Sequence, residues 1–389
     1  VSIAQSHLNS AVVIIEHYRG EEPLAAFLRK YFAANKKYGS KDRKNVAHLC
    51  YCYFRLGKAF TDMPTANRIM AGLFLCSYTS HPYLTELMPL WSEKILLSAE
   101  QKFSLLEEGK ISDIFPWQGL VSEGMDYLEL CRSFLVQPDL FVRIRPGKYD
   151  QVISKLHQAG ILFSLPDTTC ISFNNSTKIN DLLLPDAEVV VQDFSSQKAG
   201  DFLRLLPHKK KRKVWDCCAA SGGKSIMAVD ILGNIDLTVS DVRESILVNL
   251  KKRFSSAGIK GYKCFISDIA KSGFAGSEKE FDLVIADVPC SGSGTWARTP
   301  EQLYYFAIGK INHYQILQRK ILDNILPALR PGGFILYITC SVFSAENEMQ
   351  ISYLQDKYSL QVEKQELIKG YDKGADTMFA ALLHKPLQF

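Results

Sequence analysis

From residue 214 onward, short apolar runs alternate with helical patterns, and this alternation constrains the fold more than any other feature. The runs are Val214–Trp215, Leu237–Ser240, Cys264–Ile266, Phe281–Ala286 and Phe334–Ile338. Helical spacing fits Ser225–Leu232, Glu244–Ala257, Asn312–Leu329 and Ala345–Tyr358. Strands joined through helices close as a parallel, doubly wound sheet, whose ligands sit beyond the carboxyl ends of the strands. Pro331-Gly332-Gly333 reads as the turn from the third of these long helical stretches into the last strand.

The rest of the chain has a different texture. Up to about residue 125, apolar residues recur at three- and four-residue spacing in Ala11–His17 and Leu24–Phe32. Ser40 reads as the N-cap of a third helix with Leu49, Tyr53 and Leu56 on its apolar stripe and Gly57 as its stop. Further apolar segments cover Thr65–Tyr78, Leu84–Leu97 and Phe103–Leu105, so this part is expected to be all-helical. Phe141–Arg145, Cys170–Phe173 and Val189–Gln192 are short strand candidates, and Tyr149–Gln158 is a helix ended by Gly160. Three domains are therefore expected, at 1–125, 126–205 and 206–389. With 389 residues, 47% of them apolar and 22% charged, the chain can bury a substantial core and is not a disordered one. The first 24 residues break their apolar stretches with His7, Glu16, His17 and Arg19, unlike a secretory signal, and no run is long enough for a membrane helix. Ten scattered cysteines without a Cys-x-x-Cys pair read as reduced thiols in a cytoplasmic protein, neither a disulfide framework nor a metal site. A net charge of +5 permits a polyanionic partner.

The chemistry concentrates at the strand ends. Asp216-Cys217-Cys218-Ala219-Ala220-Ser221-Gly222-Gly223-Lys224-Ser225 joins the first strand of the sheet to a helix. Its small residues let a ligand approach the backbone closely. A phosphate-binding Walker loop would need glycine where Cys218 stands, so an adenosyl ligand is the better reading. Asp241, 19 residues after Gly222 at the end of the second strand, suits the ribose hydroxyls. The plain alternative is a tight turn that packs helix on strand with no ligand. Asp268 and Asp287 end the third and fourth strands in the same way; one such acid is often only a helix cap, but three in succession point to a site. Asp287-Val288-Pro289-Cys290-Ser291-Gly292-Ser293-Gly294-Thr295 follows the fourth strand, and Thr339-Cys340-Ser341 follows the fifth. Lone cysteines are usually core residues. Two at the ends of neighbouring strands should open into one crevice.

Together, Asp-x-Pro-Cys-Ser-Gly, Thr-Cys-Ser with the later Glu346-Asn347-Glu348, and Cys-Ala-Ala-x-Gly-Gly-Lys resemble the RsmB/Nop2/Sun family of RNA cytosine methyltransferases. The segment from Val191 to Gln197 resembles the stretch preceding the catalytic domain in that family. The resemblance extends over residues 126 to 389 and, more weakly around Asp42-Arg43 and Phe54-Arg55-Leu56, to the NusB-like RNA-binding domain of the RsmB branch. It implies a NusB-like helical domain, a small α/β RNA-recognition module and a Rossmann-like methyltransferase that uses S-adenosylmethionine to methylate carbon 5 of a cytosine in RNA. Ribosomal RNA is the substrate it implies, transfer RNA the rival, and the protein is expected to act as a monomer without metal. In this family's terms Cys340 matches the nucleophile and Cys290 the cysteine that assists product release. Cys218, Ala219, Ala220, Ser221, Gly222, Gly223, Lys224, Asp241, Asp268 and Asp287 match the cofactor-binding positions, and Asp287 and Lys224 also lie where the family contacts the target base.

Ser221 replaces the family's proline and Val288 its small residue, usually alanine; neither substitution touches a thiol. Six of the ten residues from Arg204 to Lys213 are basic, and this run is read either as a solvated face or as a phosphate-tracking surface. Lys36, Lys37, Lys41, Arg43 and Lys44 interleave with Tyr31, Phe32 and Tyr38, rings expected in the core; Arg298 is a candidate phosphate contact. Two rivals stand outside the class: a silent RNA-binding or assembly factor, and a DNA cytosine methyltransferase, which would use Cys290 as nucleophile and leave Cys340 without a role.

Overall fold

A computed structural model describes residues 2–106, 109–274 and 280–387. It divides into two compact units, one of 1–119, 126–137 and 295–308, the other of 120–125, 138–294 and 309–389. The chain passes from one unit to the other at 119/120, 125/126, 137/138, 294/295 and 308/309. Thr295–Ile308, within the expected methyltransferase region, clusters with the helical unit.

In the first unit every described regular element is helical, led by Ile3–His17, Leu24–Ala34, Ser40–Arg55 and Thr65–Cys76. Ser2 caps the first of these, its hydroxyl accepting the Gln5 N–H at 3.1 Å. Ser40 is not the cap of the third but its first residue; Gly39 precedes it and donates its N–H to Asp42 Oδ2 at 3.0 Å. The expected segment Leu84–Leu97 is split, because Pro89 lacks the N–H a continuous helix needs, and forms Pro82–Leu87 and Pro89–Ser92. Phe32 and Tyr38 are buried, as a core role requires. Buried Arg55 holds the unit's separate chain segments together: its Nη1 lies 2.9, 2.9 and 3.0 Å from the carbonyl oxygens of Phe134, Val136 and Ala297. Charge-assisted bonds satisfy a guanidinium that burial would otherwise penalise.

The second unit contains two sheets. Strands β1 (Leu140–Ile144), β2 (Ser164–Asp167), β3 (Cys170–Phe173) and β4 (Val189–Val191) form an antiparallel sheet in the order β2-β3-β1-β4. β2 has no apolar alternation and is not among the expected strands. The larger sheet contains β5 (Arg212–Asp216), β6 (Ile235–Asp241), β7 (Lys263–Ile266), β8 (Phe281–Asp287), β9 (Leu329–Thr339), β10 (Gln361–Ile368) and β11 (Met378–His384). Their order is β10-β11-β9-β8-β5-β6-β7, with β5 to β9 parallel and β10 and β11 antiparallel additions. Both sheet faces are covered, which is why the central strands read as apolar runs. Val214, Leu237, Leu283 and Leu336 face one core cluster; Trp215, Val284, Ala286 and Ile335 face the other. The Pro331-Gly332-Gly333 turn is absorbed into β9, with Gly332 at φ +72° and its N–H bonded to the Lys385 carbonyl at 2.8 Å. The small sheet is fastened to the large one by ion pairs, Arg143 and Arg145 each 2.7 Å from Asp230 and Arg253 2.7 Å from Asp186. Among the described residues no helix is long and apolar enough to cross a membrane.

Candidate active site

Strand order reverses at β5, whose parallel neighbours are β6 on one side and β8 on the other, so a crevice opens at their carboxyl ends. A cavity of about 540 Å³ lies there, and Cys218, Ala220, Asp241, Asp268, Asp287, Cys290 and Cys340 all line it. Ala219, Ser221, Gly222, Gly223 and Lys224 are not among its lining residues.

The loop after β5 owes its shape to local bonds. Ala219 donates to the Ser240 carbonyl at 2.9 Å and Ala220, at φ +45°, donates to Asp241 Oδ2 at 3.0 Å. Gly222 sits at φ +85°, and a Cβ there would come within 2.6 Å of the Phe254 ring. Ser221, where the family has proline, instead accepts a hydrogen bond from Arg253 Nη1 at 2.9 Å. Asp241 also accepts from the Arg243 N–H at 2.9 Å and side chain at 3.1 Å, so it organises this loop as well as facing the cavity. The site suits an adenosyl cofactor: a carboxylate stands at the second strand end, and the turn is closed to any side chain at Gly222. Asp241→Ala is expected to weaken S-adenosylmethionine binding by about 1–3 kcal/mol. Calorimetry reads this directly, and unchanged affinity would remove Asp241 from the site.

Lys224 points at the other carboxylate. Its Nζ lies 3.2 Å from Asp287 Oδ2 and donates to Ser196 Oγ at 2.7 Å. Ser196 belongs to the Val191–Gln197 stretch noted in the sequence, and its contact with Lys224 was not legible there. Asp216 is the other group the sequence left without a role. It is fully buried, accepts from Ser225 Oγ at 2.6 Å through Oδ2, and has no partner for Oδ1. Burial pushes its pKa from 3.8 up to about 7. The folded chain thus binds this proton more tightly than the unfolded chain does. Its stabilising contribution is complete below about pH 4 and is lost as pH rises to about 7. Asp216→Asn should therefore narrow the gap in melting temperature between pH 5 and pH 8; an equal gap in both proteins would contradict this.

The two thiols meet as neighbouring strands require. Asp287 on β8 pairs with Ile338 on β9, Cys340 follows β9 directly, and the Cys290 and Cys340 sulfurs lie 3.3 Å apart. Both residues are half-buried. The Cys290 thiol is pushed well up, by its hydrogen bond to Cys340 first and then by burial. Gly294 fixes the returning loop, donating to the Cys340 carbonyl and accepting from the Thr377 N–H, both at 2.9 Å. Val288 is buried against the core and also lines the cavity, so the substitution there borders the site itself.

Several members of the basic run face acids. Lys209 pairs with Asp282 at 2.7 Å, Lys211 with Asp236 at 2.6 Å and Arg204 with Asp201 at 3.6 Å, while Arg212 is buried.

Residues 202–384 match the family model described as 16S rRNA methyltransferase RsmB/F. This stretch is an RsmB/F-family methyltransferase domain. The chain is 29% identical over 238 residues to ribosomal RNA small subunit methyltransferase B of Xanthomonas campestris, covering 60% of this chain and 53% of that protein. The Proteus mirabilis protein of the same name is 26% identical over 399 residues, covering 90% of this chain and 92% of its own length. Against the first of these relatives the chain thus spans about half the length it is compared with. The crystal structure of NSun6 from Pyrococcus horikoshii with SFG shares the fold at a TM-score of 0.56 and 15% identity, covering 72% of this chain and 97% of that one. The RsmB/F domain is of the S-adenosylmethionine-dependent methyltransferase class, with the mixed α/β sheet described above.

Proposed function

We propose that this RsmB/F-family protein methylates carbon 5 of a cytosine in RNA, with Cys340 as nucleophile and Cys290 as the group that permits release. The observation that carries this reading is the pair of sulfurs 3.3 Å apart, both on the cavity that Asp241 and Asp287 also line. Bound in that cavity, S-adenosylmethionine supplies an electrophilic methyl group.

Carbon 5 of cytosine is a poor nucleophile. Addition of the Cys340 sulfur at carbon 6 makes carbon 5 enamine-like and able to accept a methyl group. The proton on carbon 5 must leave before the carbon–sulfur bond can break, and Cys290 is the assigned acceptor. Cys290 must be a thiolate at that step, its own proton having left to solvent, and its raised pKa makes that thiolate a strong base. Asp287 holds the exocyclic amine and ring nitrogen, and Lys224, fixed by Ser196 and Asp287, sets the local charge.

Ribosomal RNA is the proposed substrate class, supported by the names of the similar bacterial proteins and with transfer RNA as the alternative. The helical unit is assigned to RNA binding as a NusB-like domain and the β1–β4 sheet to RNA recognition, within a cytoplasmic, metal-free monomer. Incubation with RNA carrying tritium at cytosine carbon 5 tests the reaction. Release of tritium to water in step with methyl incorporation is expected; methylation without release would place the methyl elsewhere.

A further inference from the structure

Glu346 is fully buried, and the thiol mechanism gives it no task. It sits in the turn between β9 and the helix Glu348–Tyr358, within the Glu346-Asn347-Glu348 stretch noted in the sequence. Its Oε2 accepts the Ser291 N–H at 2.8 Å and Gln318 Nε2 at 3.1 Å, and its Oε1 accepts the Ser341 hydroxyl at 2.6 Å. Ser291 directly follows Cys290, and Ser341 directly follows Cys340. The hydroxyls of Ser291 and Ser341 also lie 3.2 Å apart. Asn347 strengthens the second arm, accepting from Thr339 Oγ1 at 2.5 Å and donating to the Ser341 carbonyl at 2.9 Å.

We propose that Glu346 is the positioning residue for both thiols, its buried carboxylate joining the peptide after Cys290 to the side chain after Cys340. A buried acid costs free energy unless donors surround it. Here burial raises the Glu346 pKa, whereas donation from Ser291, Ser341 and Gln318 favours the ionised form. The charge has a second effect. After the hydrogen bond to Cys340, burial and the Cys340 charge, Glu346 is a further cause that holds the Cys290 proton in place. The other titratable groups about this pair are Tyr314 on the helix Lys310–Ile325 and Tyr337 on β9, both raised mainly by burial, with Asp287 at the end of β8 and Lys224 on the helix Gly223–Leu232. Tyr337 donates its hydroxyl to the Glu346 carbonyl at 2.6 Å, which fixes the turn from below.

The inference about geometry stands apart from the thiol mechanism, and only its activity readout rests on that mechanism. Glu346→Gln keeps an oxygen for Ser291 and Gln318 and offers an amide to Ser341, so it removes the charge while preserving the connection. In the full chain without RNA or cofactor, iodoacetamide should then label Cys290 on the order of tenfold faster at a given pH, its profile shifting toward lower pH. Mass spectrometry assigns the labelled thiol. Glu346→Ala cuts the connection, and kcat should fall on the order of a hundredfold with KM for S-adenosylmethionine little changed, since the loop after β5 is untouched. An unchanged Cys290 profile in the glutamine variant overturns the proposal, and so does wild-type kcat in the alanine variant. If Cys340→Ala retains methyl transfer, the thiol mechanism fails, and the labelling profile alone still decides the role of Glu346.

Discussion

Gly294→Ala is expected to reduce methyl transfer on the order of a hundredfold while leaving S-adenosylmethionine affinity nearly unchanged. The cause is local and steric. A Cβ at this position would lie 1.9 Å from the Thr377 carbonyl oxygen and 3.1 Å from that of Cys340. Neither is the end of a flexible side chain; both belong to backbone that is itself hydrogen-bonded to Gly294. The loop must therefore move outward, and the Cys290 end of the thiol pair moves with it. Overpacking of this kind also costs stability, about 1–3 kcal/mol. The cofactor loop is set by β5, β6 and Asp241, which do not touch Gly294, so calorimetry and turnover should part company. A variant with normal turnover would mean that the spacing of the two cysteines does not limit the reaction.

The sheet and the meeting of the thiols were legible because both follow from short-range pattern. Five apolar runs separated by helical spacing leave few ways to close a parallel sheet, and consecutive strands in its second half become neighbours. That adjacency alone brings Cys290 and Cys340 to the same edge. The antiparallel strand β11 is a buried apolar run of the same kind as the central strands and is legible. Its neighbour β10 has no sequence signature for a physical reason: it is mostly exposed at the sheet edge, with no buried face to impose alternation. The return of 295–308 to the helical unit was equally hidden. It depends on Ala297 offering a carbonyl to buried Arg55, 242 residues away in sequence, and such a long-range bond has no periodic signature. Arginine and lysine runs suggest nucleic acid, yet Lys209 and Lys211 have acids opposite them that only the fold reveals. At the site, residue types announced the cavity but not its support. Ser196 behind Lys224, and Glu346 between the cysteine loops, are read only from which atoms meet.

A denaturing gel should separate the roles of the two thiols. With Cys340→Ala, no sulfur adds to carbon 6, so neither methylated RNA nor a protein–RNA adduct is expected. With Cys290→Ala, attack and methylation proceed, but the proton on carbon 5 has lost its acceptor and the covalent complex accumulates. The double variant should again give no adduct. This pattern follows from the order of steps, since a block after a covalent intermediate raises its population while a block before it abolishes it. The sulfurs lie 3.3 Å apart, so each variant removes a contact of the other and a small change in the remaining thiol's reactivity is expected in both. Such a change alters the rate at which adduct appears, not which variant forms it. An enzyme of the DNA type would reverse the pattern, losing the adduct with Cys290→Ala and keeping it with Cys340→Ala. A protein that only binds RNA would give no adduct in any lane, including wild type trapped with a cytosine analogue that cannot release its carbon 5 substituent. An adduct that requires Cys290 would overturn the assignment of Cys340 as nucleophile, because only the attacking sulfur can remain bonded to the base.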